Sequence, residues 1–467
     1  YRNGIKSTDD CIIVSGTLNI TSTEDGIIGK DLCGIVAGDI NINAGSDGIK
    51  STYDTDTTKG NVIIEGGNIT IKASNDGIQA ENILVINDGT INIKTNNGAA
   101  DTTQTHTDNM YMGRGGFGFN NNKTTTTTDD TAESRKGIKA GNMLIINDGD
   151  ITIDSDDDSV HCNSVIYIYG GTINAATGDD GVHADDLLTV NGGTINITQC
   201  YEGLEADDIV INDGDISVVS SDDGINSSDG SITINGGNLL INASGDGLDA
   251  NGSIIINGGY IVVLGPTSDG DTAIDYDDSC TINGGTVMAF GSSGMLEIPK
   301  GASNGACIVT AFTSVSGGSK YTLSDSNGNE ILSYTPSKAY AAAIVYSDKI
   351  TTGNTYDITA GSTTLSIEVT SDVTSNVSSG LGKAGGMNMP GNGGSGMPNN
   401  GSSDNGMNGN SNGSMPDMSG NGAPDMNGNS SGDMPSMGGN SSNNGGNMPN
   451  MNNGSSNGSA PQMNNRM

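Results

Sequence analysis

Short runs that alternate apolar and polar residues recur along most of this chain. Examples are "IIEGGNITI" (63–71), "VINDGTINI" (85–93), "IINDGDITI" (145–153), "VNGGTINI" (190–197) and "INDGDISV" (211–218). A period of two places Ile and Val on one face of a strand and Thr, Asn and Lys on the other. Each run is bounded by Gly, Asn or Asp, which tolerate the left-handed backbone of tight corners. No segment holds a helical period, so the pattern predicts an all-β chain.

A second pattern sets the architecture. "NGIKS" (3–7), "DGIIG" (25–29), "DGIKS" (47–51), "DGIQA" (76–80), "KGIKA" (136–140), "DSVHC" (158–162), "DGVHA" (180–184), "EGLEA" (202–206), "DGINS" (223–227) and "DGLDA" (246–250) follow one another mostly 21 to 23 residues apart. A repeat this short has no room for a helix or a propeller blade. It fits one rung of a parallel β-helix, with three short strands and three corners stacked at the strand spacing. The prediction is a right-handed parallel β-helix of about 11–12 rungs over residues 1–304, a rod of roughly 50–60 Å. Longer intervals near 52–60 and 95–135 read as insertions between rungs. Residues 305–373 lose the repeat and read as a small β-rich C-terminal cap that covers the last open rung.

Composition sharpens this picture. Aromatic residues make up 4% of the chain, Trp is absent and Gly numbers 73, so the core must come from small and β-branched side chains. The net charge of −37 argues against a nucleic-acid partner, whose phosphates it would repel, and suits cations. No apolar run of about 18 residues predicts membrane insertion. The chain opens in mid-pattern, so an upstream segment is expected. Residues 374–467 turn to Gly, Asn, Ser, Met and Pro, carry 13 of the 18 Met, and read as a disordered tail. The insertion at 108–130 carries Tyr111, Arg114, Phe117 and Phe119 and reads either as a flexible ligand-contacting loop or as a mobile excursion with no role. Cys11 and Cys33 fall at equivalent points of successive repeats, where either a disulfide or two stacked thiols fits. The six Cys have no CxxC spacing, which argues against zinc.

The wording of the repeats resembles a known family. "GIKSTDD", "DGIIGKD", "DGIKST", "KGNVIIEGGNITI", "DGIQAEN", "KGIKA" and "YEGLEA" resemble the clostridial-type secreted carbohydrate-binding domain-containing parallel β-helix proteins over roughly residues 3–370. The resemblance implies bound calcium and the polygalacturonate-binding type, akin to family 9 polysaccharide lyases. In those lyases calcium is held by aspartates arranged as Asp157, Asp179 and Asp180 are here. His183 stands where that pattern has another aspartate.

Stacking turns repeat positions into columns. The third residue after the start of each "DGI" reads Lys6, Ile28, Lys50, Gln79, Lys139, His161, His183, Glu205, Asn226 and Asp249. One corner is therefore basic toward the amino end and acidic beyond about residue 156. Carboxylates on neighbouring rungs can share one hard cation. The expected Ca2+ ligands are Asp157, Asp158, Asp179, Asp180, Glu202, Glu205, Asp222 and Asp223. Secondary candidates are Asp185, Asp186, Asp207, Asp208, Asp275, Asp277 and Asp278. Lys50 and Lys139 are candidates to pair with uronate carboxylates, and Tyr53, Tyr167, Tyr169 and Tyr201 to stack on sugars. A recurring Asn (87, 147, 191, 212, 235, 257, 283) reads as an amide ladder that satisfies turn backbone groups.

A β-elimination lyase needs a base beside the cation. Lys50 and Lys139 lie on the amino-terminal side of the acids, and no basic residue is evident beside Asp157–Asp180. The expected function is extracellular, calcium-dependent binding of acidic polysaccharide without cleavage. The alternatives are a surface or filament-forming solenoid, stacking end to end from its bare first rung, and a calcium-dependent lyase.

Overall fold

A computed structural model describes residues 1–100 and 134–377. The aromatic insertion at 108–130 and the tail lie outside the described residues, and with them the contact and disorder expected there. The described chain holds 39 strands and no helix. The rung that begins at Ile138 shows the plan. Ile138–Ala140 forms the first face, Met143–Ile146 the second and Asp150–Ser155 the third. The next rung repeats it with Val160–Cys162, Val165–Ile168 and Thr172–Thr177, paired in parallel and in register. Eleven rungs are complete on the first and third faces, and Gly301–Ala302 starts a twelfth on the second. At Val182–Val190 and Leu204–Ile211 the first and second faces run into one another without a break.

The alternation does what its period requires. On the third face Ile40, Ile69, Ile91, Ile151, Ile173, Ile195 and Ile216 stack into one buried column. Each such side chain contributes about 1.5–3 kcal/mol through burial. No Trp is needed, because mainly Ile and Val side chains fill the interior of the rungs. Gln79 pairs with Lys50 on one side and Lys139 on the other, so register passes intact across both long intervals.

Two kinds of glycine serve two purposes. The Gly of the "N-G-G" corners has positive φ, as at Gly193 (φ 89°). The Gly of "DGI" instead permits close stacking. A Cβ on Gly181 would lie 2.5 Å from the carbonyl oxygen of Gly203 and 2.4 Å from Ile197 Cδ1.

The Asn column is a ladder, but side chain bonds to side chain rather than to the turn backbone. Asn147 donates to Asn87 (2.7 Å), Asn212 to Asn191 (2.9 Å), Asn235 to Asn212 (2.8 Å), Asn257 to Asn235 (2.8 Å) and Asn283 to Asn257 (2.9 Å). Cys11 and Cys33 are register partners and both are free. A hydrogen bond from the Cys33 thiol brings the Cys11 thiol down to about 7.

The cap is joined to the rod in two ways. Tyr340–Ser347 pairs antiparallel with the last third-face strand, Thr286–Gly291, and Ala306–Val315 pairs with it in turn. One side of this addition closes the solenoid core with Cys307, Val309, Ala342, Ile344 and Tyr346. The other side joins a four-stranded antiparallel sheet whose Tyr321 and Leu323 pack against Val262, Leu264, Met288 and Phe290. Those four outward positions are apolar because the cap lies over them. In earlier rungs the same columns carry Asn92 and Lys94.

Candidate functional site on the corner before the first face

Each rung enters its first face through the corner that carries the acids. The middle residue of each three-residue strand points outward, and register links Lys6, Ile28, Lys50, Gln79, Lys139, His161, His183, Glu205, Asn226, Asp249 and Asp275 into one column. Beside it runs the leading column of each "DGI". Here one carboxylate oxygen is committed to structure. Asp158 Oδ1 accepts the backbone N–H of Asp180 (3.1 Å), Asp180 Oδ1 that of Glu202 (3.1 Å), and Asp223 Oδ1 that of Asp246 (2.6 Å). The same bond joins Asp25 to Asp47 and Asp47 to Asp76. The acids therefore cap corners, and each keeps a second oxygen for other partners.

Those second oxygens meet different company along the rod. At Asp157 and Asp158 the partner is Lys136, whose Nζ lies 2.7 Å from Asp157 Oδ1 and 2.6 Å from Asp158 Oδ2. A basic residue does stand beside the cluster, contrary to expectation. It was hidden because it occupies a leading-column position that other rungs give to Asp. Arg135 pairs with the fully buried Asp156 (2.7 Å). Although burial pushes the Asp158 carboxyl up, Lys136 and His161 hold it well below the usual range.

His161 is buried, with Nδ1 2.8 Å from Asp158 Oδ2 and Nε2 2.9 Å from Asn163 Oδ1. The His161 and His183 rings meet edge to face, with centroids 4.8 Å apart. His183 Nδ1 faces Glu205 Oε2 (3.3 Å), Asp180 Oδ2 (3.4 Å) and Asp158 Oδ2 (3.7 Å). Burial disfavours its cation, but these carboxylates overcome that and raise it to about 10.

Beyond His183 the cations run out. Among the described residues no Lys, Arg or His pairs with Glu202, Asp222, Asp223 or Asp246. Burial, reinforced by neighbouring acids, pushes Asp179 up to about 8, Glu202 to about 9, Glu205 to about 8, Asp223 to about 8 and Asp246 to about 9. Three groups of potential ligand atoms, each within 4.8 Å of one another, include carboxylates of this stripe: Asp157–Asp158–Asp179, Asp180–His183–Glu205 and Asp223–Asp246–Asp249. The first and the last are all oxygen, the donor set a hard cation prefers, and of these two only the last has no lysine among its carboxylates. Asp246 and Asp249 belong to columns legible in the sequence, but they stand one rung beyond the expected ligands. Tyr201 interrupts the column of Asp157, Asp179 and Asp222, since its N–H bonds to Asp179 O and its carbonyl accepts from Asp222 N.

The secondary candidates are occupied differently. Asp186 accepts from Ser164 Oγ (2.6 Å), Asp207 from Ser228 Oγ (3.1 Å) and Asp208 from the N–H of Ser231 (2.9 Å). Asp185 lies 3.6 Å from His183 Nε2. Asp275 continues the outward column after Asp249, while Asp277 and Asp278 lie on the following corner. Lys50 is held by Asp47 Oδ2 (2.5 Å), and Lys139 Nζ lies 3.2 Å from Ser134 Oγ. The Tyr53 ring carries the ammonium groups of Lys30 and Lys59, each 4.7 Å from its centroid. Tyr167 and Tyr169 lie near parallel with centroids 6.3 Å apart, and Tyr169 is half exposed where the Asn ladder is interrupted.

Fold and corner together define a parallel β-solenoid with a polar, charge-graded outer surface. The family model described as carbohydrate-binding domain-containing protein matches residues 1–181 and again 179–368, so the chain belongs to that family. The two matches meet near Asp179–Gly181, within the acidic corner. Comparison with curated proteins and with solved structures returns no match.

Proposed function

We propose that this protein binds an acidic polysaccharide of the polygalacturonate type outside the cell, and that calcium links the acidic corner to the carboxylates of the polymer. Membership of the carbohydrate-binding domain-containing family supports a polysaccharide partner. The observation that carries the calcium reading is the run of Glu202, Glu205, Asp223 and Asp246, a largely buried set of neighbouring carboxylates with few protein cations among them, in which Asp223 and Asp246 bring ligand oxygens within 4.8 Å of one another and of Asp249. Asp180, Glu202 and Glu205, together with Asp222, Asp223, Asp246 and Asp249, would hold the ion. Asp157 and Asp158 are the poorer part of the expected ligand set, because Lys136 already sits between them. Bound calcium would supply positive charge for uronate carboxylates, and the protein residues would fix its position.

Binding without cleavage is the better reading. A lyase base must be free to accept a proton, whereas Lys136 is largely buried and held protonated by Asp158 and Asp157, against the effect of burial. A pull-down on insoluble polygalacturonate, with calcium and with chelator, tests the proposal. Retention with calcium and loss with chelator are expected. Passage through the matrix in both conditions would sink it.

A further inference from the structure

The last rungs and the cap enclose a cleft of about 480 Å³, away from the acidic corner. Its walls come from the third face (Tyr260, Met288), from the cap strand Glu330–Tyr334 (Ile331, Ser333) and from the turn after Tyr340–Ser347 (Asp348, Lys349). Tyr260 is the informative residue. It occupies the first outward position of its strand, in the column where the preceding rungs carry Asn238, Asp215 and Thr194. An aromatic ring replaces small polar groups there, yet it takes no part in the core beneath the cap and stays 44% exposed.

The walls are fixed in advance. Thr286 pairs directly with Ser347, so the solenoid wall and the turn wall share one hydrogen-bonded sheet. Lys338 Nζ donates to the carbonyl oxygens of Leu264 (3.3 Å) and Ala243, which ties the segment before Tyr340 to the rod. The lining is mixed, with a ring and aliphatic floor from Tyr260, Met288 and Ile331 and a polar rim from Ser333, Asp348 and Lys349. Lys349 makes no ion pair among the described residues. A pre-formed cleft of several hundred Å³ with an apolar wall and a few convergent polar groups is the usual form of a small-ligand site.

The geometry points to this cleft as a second saccharide subsite, which takes one pyranose unit of a polysaccharide. The C–H face of the sugar lies on the Tyr260 ring. Its hydroxyl edge meets Ser333 and Asp348, and Lys349 stands at the mouth to take a hydroxyl or a carboxylate. The inference rests on the polysaccharide reading above but uses different residues and needs no calcium.

Calorimetric titration of the full chain with α-1,4-linked hexagalacturonate and with cellohexaose, both in chelator, tests it. The wild type is expected to bind at least one of them. Tyr260→Ala should weaken that binding about tenfold, and Tyr260→Phe should keep it. Lys349→Glu, an exposed change that leaves the fold alone, should weaken it several-fold, more for hexagalacturonate. Wild-type binding that both Tyr260→Ala and Lys349→Glu retain in full overturns the subsite alone. If the wild type binds neither sugar in chelator but binds polygalacturonate with calcium, the subsite falls and the calcium reading stands. No binding in any condition overturns both.

Discussion

Lys136 reaches from one rung to the next and places its ammonium 2.6 Å from Asp158 Oδ2. Both side chains are nearly buried, so each charge depends on the other. Lys136→Met is expected to destabilise the fold by about 3–5 kcal/mol, because it strands a buried carboxylate. Urea unfolding measures the loss. Calcium should restore more stability to this variant than to the wild type, because Asp157, Asp158 and Asp179 then form an all-oxygen group. A calcium response equal to that of the wild type would count against this account of the corner.

The acidic stripe makes a pH prediction whose sign can be worked out. Asp179, Glu202, Glu205, Asp223 and Asp246 are raised to about 8–9 in the fold. In the unfolded chain such groups titrate near ~4. The folded state therefore holds more protons, and the stability these groups contribute is full below their unfolded pKa and lost as pH rises through 8–9. His183, raised to about 10, acts in the same direction between its ordinary value and 10. In chelator, Tm should fall from pH 5.5 to pH 9. Added calcium should raise Tm more at pH 9 than at pH 5.5. A Tm that is flat with pH, or a calcium shift equal at both, would contradict the proposed site.

Neutralising the stripe should separate calcium binding from folding. Asp223→Asn with Asp246→Asn removes two raised carboxyls while keeping polar atoms for the corner bonds. Calcium affinity should drop by about tenfold or more, and calcium-dependent retention on polygalacturonate should drop with it. Apo stability at pH 8 should not fall. Calcium titration and melting curves of the same sample read both effects.

Gly181→Ala tests the stacking explanation of the "DGI" glycine. The new methyl would meet the backbone of the next rung, so a cost of about 1–3 kcal/mol is expected. Asn235→Ala breaks two exposed ladder bonds, and water replaces them, so it should cost only about 0.5–1 kcal/mol. Equal unfolding midpoints for the two variants would show that the rungs are looser than described.

The repeat, the faces and the outward column were legible in the sequence because register is strict. A residue counted from "DGI" lands on its column even across the long intervals. The acidic corner was legible for the same reason. Lys136 was not, because a pattern of recurring Asp draws attention away from the rung that carries Lys instead. The double use of each carboxylate was also invisible. Sequence shows that Asp158 and Asp180 recur, but only coordinates show one oxygen on the next backbone N–H and the other facing the column. The subsite at Tyr260 depends on where the cap folds back, and no periodicity encodes that.

Gln79 keeps its place between Lys50 and Lys139 although 29 residues separate it from the first and 60 from the second. Alignment is thus stored in the strands and not in the length of what joins them. Such a rod can accept new sequence at its corners, one rung at a time, without disturbing the surfaces above and below. Binding specificity could change in this lineage by exchange of corner loops, while the column of isoleucines stays as it is.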